Sequence, residues 1–173
     1  MRSFQKYIFA LLLIAGCGYT HVGDEPSDGY QWRSLYREDV KTVAVPIFQN
    51  RDYTRGVEFA LTKSVINELE AHSPYKVVPR ERADTILEGE ITSIKRQTVS
   101  RDSTTDVPQE QLFIVVVDFT WKDMRSGRIL VSRQNFEQDA TYYPTLGEDQ
   151  FVGNQLAIDR LALAIVQELQ ADW

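Results

Sequence analysis

Few residues in this chain are of a type that does chemistry. There is one cysteine, Cys17, and there are two histidines, His21 and His72. A metal centre needs several Cys or His side chains at short spacing; no such set occurs, so neither a metal nor a cofactor is expected. No Gly-x-Ser-x-Gly elbow and no glycine-rich phosphate loop is present. Glu88 and Glu90 stand two apart in a strand-like stretch and so share a face, as an acid–base pair would. Two solvated strand carboxylates give the same pattern, and no substrate signature accompanies these, so an enzyme is not expected. The cations fall into two groups, Lys95, Arg96 and Arg101, then Arg125, Arg128 and Arg133, which neighbouring antiparallel strands could bring together. Guanidinium groups beside an apolar surface could grip the phosphates of an anionic amphiphile. Equally, they could keep a sheet edge soluble and unpaired.

Cys17 has a distinctive setting. Arg2 and Lys6 are followed by the apolar run YIFALLLIA at 7–15, then Gly16 and Cys17. The run is too short to span a bilayer, which takes about 20 apolar residues, but it suits an exported leader. Small residues at Ala15 and Gly16 let a signal peptidase take the backbone in extended form, and the order resembles the bacterial lipoprotein signal, with Cys17 as the acylated mature N-terminus. An ordinary secretory leader cut near Gly16, or a cytosolic chain with an apolar start, remains open. The lipoprotein reading removes the oddity of a lone thiol in an exported protein, and its two or three acyl chains would hold the domain on a membrane surface.

With residues 1–16 removed, the chain has the length of one domain. Hydrophobic residues make up 43% and charged residues 25%, which supports a packed core rather than extended disorder. The formal net charge of −6 becomes more negative once Arg2 and Lys6 are lost, and this argues against a nucleic-acid partner. No second long apolar run offers a transmembrane helix, and one cysteine allows no internal disulfide.

Residues 18–39 mix Gly, Pro, Asp and Ser, as a tether would, although Trp32, Leu35 and Tyr36 should pack on the domain. Residues 41–48 (KTVAVPIF) read as a strand ended near Pro46. Val57, Leu61, Val65 and Leu69 recur every four residues in a helix expected over 54–72 and stopped by Pro74. A short strand at 75–78 completes a right-handed β-α-β crossover with parallel strands. Long strands follow at 85–100, 111–122 and 129–142, with an expected mobile loop at 101–108 and a turn at 125–128. Gly89 marks a bulge or a close approach. Thr145 and Glu148 have capping-box spacing for a last helix, whose buried side carries Phe151, Ile158, Ala162, Ile165 and Leu169. The expected fold is α+β: a two-layer sandwich of two helices on one face of a mostly antiparallel, four- to five-stranded sheet, in β-α-β-β-β-β-α order. The other face of the central strand, begun by Leu112, Ile114 and Val116, needs cover from residues 30–36 or from a partner.

The chain resembles a known family at several places in order. These are Cys17-Gly18-Tyr19, then Thr42-Val43-Ala44-Val45-Pro46-Ile47-Phe48-Gln49-Asn50-Arg51, Gly56-Val57-Glu58-Phe59, Pro74-Tyr75-Lys76-Val77-Val78, Ala83-Asp84-Thr85-Ile86-Leu87-Glu88-Gly89 and Val117-Asp118-Phe119-Thr120-Trp121-Lys122-Asp123. The likeness is to the LptE family of lipopolysaccharide-assembly lipoproteins and covers essentially all of the chain after the leader. It divides the chain into a signal peptide at 1–16, a lipidated tether at 17–39 and an LptE-like domain at 40–173. It implies an outer-membrane lipoprotein on the periplasmic side that plugs the β-barrel translocon LptD and helps it assemble. Lipopolysaccharide would meet Lys95, Arg96 and Arg101, and the barrel would meet Tyr142, Tyr143 and Pro144. Gly18 after Cys17 fits outer-membrane sorting, since aspartate there is the familiar retention signal. The segments 43–45, 75–80 and 83–89 also look like domains of secretion-pore lipoproteins and of lipoprotein activators of cell-wall synthases, which act through protein–protein contacts.

Overall fold

The computed structural model describes residues 35–146 and 150–170, with the side chains of 150–152 excepted. The expectations for the leader, Cys17, His21, residues 18–34 and Glu148 therefore lie outside the described residues.

The strand expected over 41–48 is two strands. β1 (Thr42–Ala44) ends before Pro46, which has no N–H for a ladder, and β2 (Gln49–Asn50) resumes beyond it. α1 (Val57–His72) buries Val57, Leu61, Val65 and Leu69, the stripe legible in the sequence. It starts three residues later than expected because Asn50 and Asp52 spend residues 50–54 on a loop. β3 (Lys76–Val77) pairs parallel with β1, as the crossover requires. β4 (Thr85–Arg101), β5 (Pro108–Asp123) and β6 (Ile129–Tyr142) form a meander, and α2 (Gln150–Glu168) returns over it. The sheet order is β3-β1-β4-β5-β6, with β2 beside β4, so the sheet has six strands rather than four or five. β1–β4 and β2–β4 are parallel; the two meander pairs are antiparallel.

The odd-numbered residues of β5, Phe113, Val115, Val117, Phe119 and Trp121, point into the core beneath both helices. A reciprocal lock joins the starts of β1 and β4. Thr42 donates from N and Oγ1 to Asp84 Oδ2 at 3.2 and 2.8 Å, and Asp84 N donates back to Thr42 Oγ1 at 2.8 Å. Gly89 is a close approach rather than a bulge: a Cβ there would lie 2.3 Å from the Phe48 ring. A short 3-10 turn (Pro144–Leu146) precedes α2, and the expected capping box, which needs Glu148, lies outside the described residues.

Tyr36 corrects the expectation that residues 30–36 shield the far sheet face, for the part that is described. It pairs with Gln170 beyond α2, donates from its hydroxyl to His72 O and meets the Tyr75 ring edge-on at 5.6 Å. It thus closes the helix side of the core. Among the described residues, no helix packs on the other face.

Candidate functional site

The decisive local feature for the basic residues is a bulge in β4. Ile91 pairs with Val117 and Ser93 with Val116, so Thr92 is an extra residue whose Oγ1 donates to Val116 O at 3.2 Å. Each side chain beyond it changes face relative to the numbering before it. Neighbours on a strand face opposite ways, and the extra residue sets which face Lys95 and Arg96 each take. Lys95 stands on the open face opposite Ile114, while Arg96 lies over the Phe113 ring at 5.6 Å on the helix side. Arg101 is at the hairpin end, where it contacts Asp106 at 3.5 Å.

The three cations expected to act together share one end of β4 but not one surface. Nor do they meet the second group. Arg125 bonds Asp84 at 2.5 Å, Arg128 closes the β5–β6 turn and Arg133 pairs with Glu168 at 2.6 Å. Thr85 and Arg101 mark the two ends of β4, about 50 Å apart at strand rise.

The open face is now definable. Leu112, Ile114 and Val116 run along its middle. Gln97, Lys95 and Ser93 flank them from β4, and Thr141, Asp139 and Glu137 from β6. Val116 is buried and the other two apolar residues are half-buried between these polar neighbours. Of the aromatic loop expected to meet a partner, Tyr142 is turned inward. It is 3% exposed, bonds Gln111 through its hydroxyl and packs on Gly153. Tyr143, 41% exposed, and Pro144 are left as its surface.

Glu88 and Glu90 sit on the wall of a hollow of about 510 Å³ with Asp118, Thr120 and Ser132. Arg80 meets Glu88 at 3.3 Å and Arg51 meets Glu90 at 2.6 Å, so both carboxylates have cationic partners. Asp118 accepts from Asn135 N at 2.7 Å, which holds Asn135 in a positive-φ conformation. His72 is engaged with Glu68, one helical turn earlier. Among the described residues no cluster of His, Cys, Asp and Glu could hold a metal, and no helix is long and apolar enough to cross a membrane.

One surface feature was not singled out from the sequence. Residues 50–54 form a loop held from inside. Asn50 Nδ2 donates to Thr54 O at 2.9 Å and to Glu58 Oε2 at 2.8 Å. Asn50 Oδ1 accepts from Asp52 N, and Asp52 Oδ1 from Thr54 N, at 2.9 and 2.8 Å. Asp52 Oδ2 takes the Ile94 N–H at 3.1 Å, pinning the loop to the β4 bulge. At its apex Tyr53 is 100% exposed. The legible signal was an aromatic inside an otherwise polar loop.

A family model for lipopolysaccharide assembly, LptE, matches residues 40–172. The chain belongs to the LptE family. LptE proteins are non-enzymatic assembly lipoproteins, and membership gives this chain a role in lipopolysaccharide assembly. No curated protein is a significant match to the chain. Among solved structures, it is similar to uncharacterized lipoprotein B from Nitrosomonas europaea, at 12% identity and TM-score 0.56, over 83% of this chain and 91% of that one. It is also similar to a PelC dodecamer from Paraburkholderia phytofirmans, at 16% identity and TM-score 0.52, over 79% and 93% respectively. At these identities the likeness is one of fold. The LptE match spans every described strand and helix.

Proposed function

We propose that this LptE-family chain is an outer-membrane lipoprotein, anchored through Cys17 on the periplasmic side, which plugs the β-barrel translocon LptD and helps it assemble. The observation that carries this reading is the open sheet face. Leu112, Ile114 and Val116 form an apolar line framed by Lys95, Glu137 and Asp139, with no helix over them among the described residues. An apolar line with a charged frame suits enclosure by the polar interior of a barrel. Affinity purification of the full chain from detergent-solubilised outer membranes tests it. Recovery of LptD in near-equal amount is expected. A self-assembled ring, or a cell-wall synthase in its place, supports the secretion-pore or synthase-activator reading and overturns this one.

A second activity, direct contact with lipopolysaccharide, is favoured by one placement. Lys95 is a cation beside the half-buried Ile114, the pairing that an anionic amphiphile needs. Arg101 extends positive charge toward the hairpin end.

A further inference from the structure

β6 is the terminal strand of the sheet and, among the described residues, pairs with β5 alone. Such an edge presents main-chain N–H and C=O groups on which another chain can add a strand. The register shows which groups these are. Ile94 N donates to Asp52 Oδ2, so it points away from β5. Pairs alternate along an antiparallel ladder, which makes Lys95 and Ile114 a hydrogen-bonded pair. Asp139, opposite Ile114 on the far side, is then left with its N–H and C=O turned outward, and Glu137 and Thr141 follow by alternation.

One of these outward groups is occupied. Arg160, an exposed residue of α2, reaches over the edge, and its Nη1 donates to Asp139 O at 3.0 Å. That carbonyl lies inside the short window where a strand could add. Asn135, in a bulge with φ 52°, bounds the window on one side, and the end of β6 at Tyr142 bounds it on the other. An added strand would lie about 4.8 Å from β6, through the place of the guanidinium. It would have to break the bond and either displace or cover a charge that arginine never gives up.

The acidic side chains beside the edge act in the same sense. Glu137 and Asp139 are exposed on the open face. The strand most readily available to β6 is the β6 of a second copy, and a two-fold pairing sets the window against itself. Registers centred on Glu137, Gln138 or Asp139 each place carboxylate opposite carboxylate, which destabilises a strand pair. The other open edge is treated with the opposite chemistry. Beyond Ile91, β4 pairs with β5 alone among the described residues, and there the occupied group is a donor, the Ile94 N–H, held by the Asp52 carboxylate.

We propose that Arg160 is an edge guard, which together with the carboxylates of Glu137 and Asp139 keeps β6 from adding the β6 of a second copy. The guard operates whichever partner the chain has.

The test compares the full chain, purified in detergent, by sedimentation velocity. The variants are Arg160→Met, Arg160→Lys, the pair Glu137→Gln with Asp139→Asn, and the triple variant that joins this pair to Arg160→Met. Methionine keeps an apolar stem and removes the donor, whereas lysine keeps a donor and a charge. All of these side chains are exposed, so melting temperatures should match wild type. A photo-reactive phenylalanine analogue at position 141 reports whether β6 is the contact. Wild type and Arg160→Lys are expected to stay monomeric. The triple variant should dimerise at a concentration at least tenfold lower than wild type, with position 141 cross-linked to the β6 of the second copy. Several results overturn the guard: a triple variant no more associated than wild type, association without a cross-link to β6, or a wild type already paired through β6. Equal association of the carboxylate pair and the triple variant, or of Arg160→Lys and Arg160→Met, removes Arg160 from the role and overturns it too.

Discussion

A glycine in the first turn of a helix, where Gly153 stands in α2, needs a reason, because within a helix it costs about 1 kcal/mol relative to alanine. For Gly153 the reason is Tyr142. A Cβ at 153 would lie 2.3 Å from Tyr142 Cδ1 and 3.0 Å from its Cβ, so α2 can cross the end of β6 only where the side chain is absent. Gly153→Ala should destabilise the fold by about 1–3 kcal/mol despite its better helix propensity, as overpacking does; denaturant titration measures this. The opposite sign would mean that the Tyr142 ring gives way freely. Asp84 is a second single-residue constraint. The Thr42 hydroxyl bond lowers its pKa from 3.8; partial burial opposes that, and the Arg125 charge reinforces it. A depressed folded pKa means stabilisation that is fully present above the unfolded value and lost as pH falls through the folded one. The β1–β4 lock should therefore hold at neutral pH and fail below about pH 4. Asp84→Asn should lower the melting temperature at pH 7 and flatten its decline below pH 4, both read from melting curves at stepped pH.

At the scale of elements, what was legible and what was not divide along a physical line. α1 could be read because burial on one face imposes a period of about four residues, and Val57, Leu61, Val65 and Leu69 kept it. β5 could be read because every odd-numbered residue from Phe113 to Trp121 is apolar, the period of two that a buried strand face imposes. The bulge at Thr92 could not be read, because nothing in the residue types of β4 marks it; it exists through pairing with Val116, a partner distant in sequence. That one residue decides which of Lys95 and Arg96 stands on the open face. Lys95→Glu and Arg101→Glu should weaken lipopolysaccharide binding without changing the melting temperature. Arg96→Glu should lower the melting temperature, since the side chain lies over Phe113 and beside Asp52. The reverse pattern, with Lys95→Glu lowering the melting temperature and Arg96→Glu weakening binding, would mean that the register shift at Thr92 is absent. The hairpin end, expected to be a mobile loop, carries internal ties. Asp102 accepts from Thr104 N, Thr105 N and Gln109 Nε2, and the N–H groups of Thr105 and Thr104 hold its carboxyl below the usual range. Asp102→Ala should speed amide exchange at Thr104 and Thr105 and leave the global melting temperature where it is.

For the molecule as a whole, the question is how much work the anchor proposed at Cys17 would do. Helices cover one sheet face, and the other carries a charged frame around an apolar line. The surfaces proposed for the partner are therefore built into the folded domain, and Cys17 contributes none of that contact area. What a lipid tether contributes is effective concentration: it confines the domain to the layer that holds its partner, and such confinement raises occupancy without any new contact. Cys17→Ser should consequently release the protein from the membrane fraction, with the fold intact by circular dichroism. Assembly should then depend on expression level, falling at low amounts and recovering as the untethered chain is overproduced, measured as LptD recovered per unit of chain. Contacts that are strong by themselves would leave the wild-type and Cys17→Ser curves superimposed at all levels. Failure of the untethered chain to bind at any concentration would mean that the acylated terminus is itself part of the interface, and that the open face does not suffice.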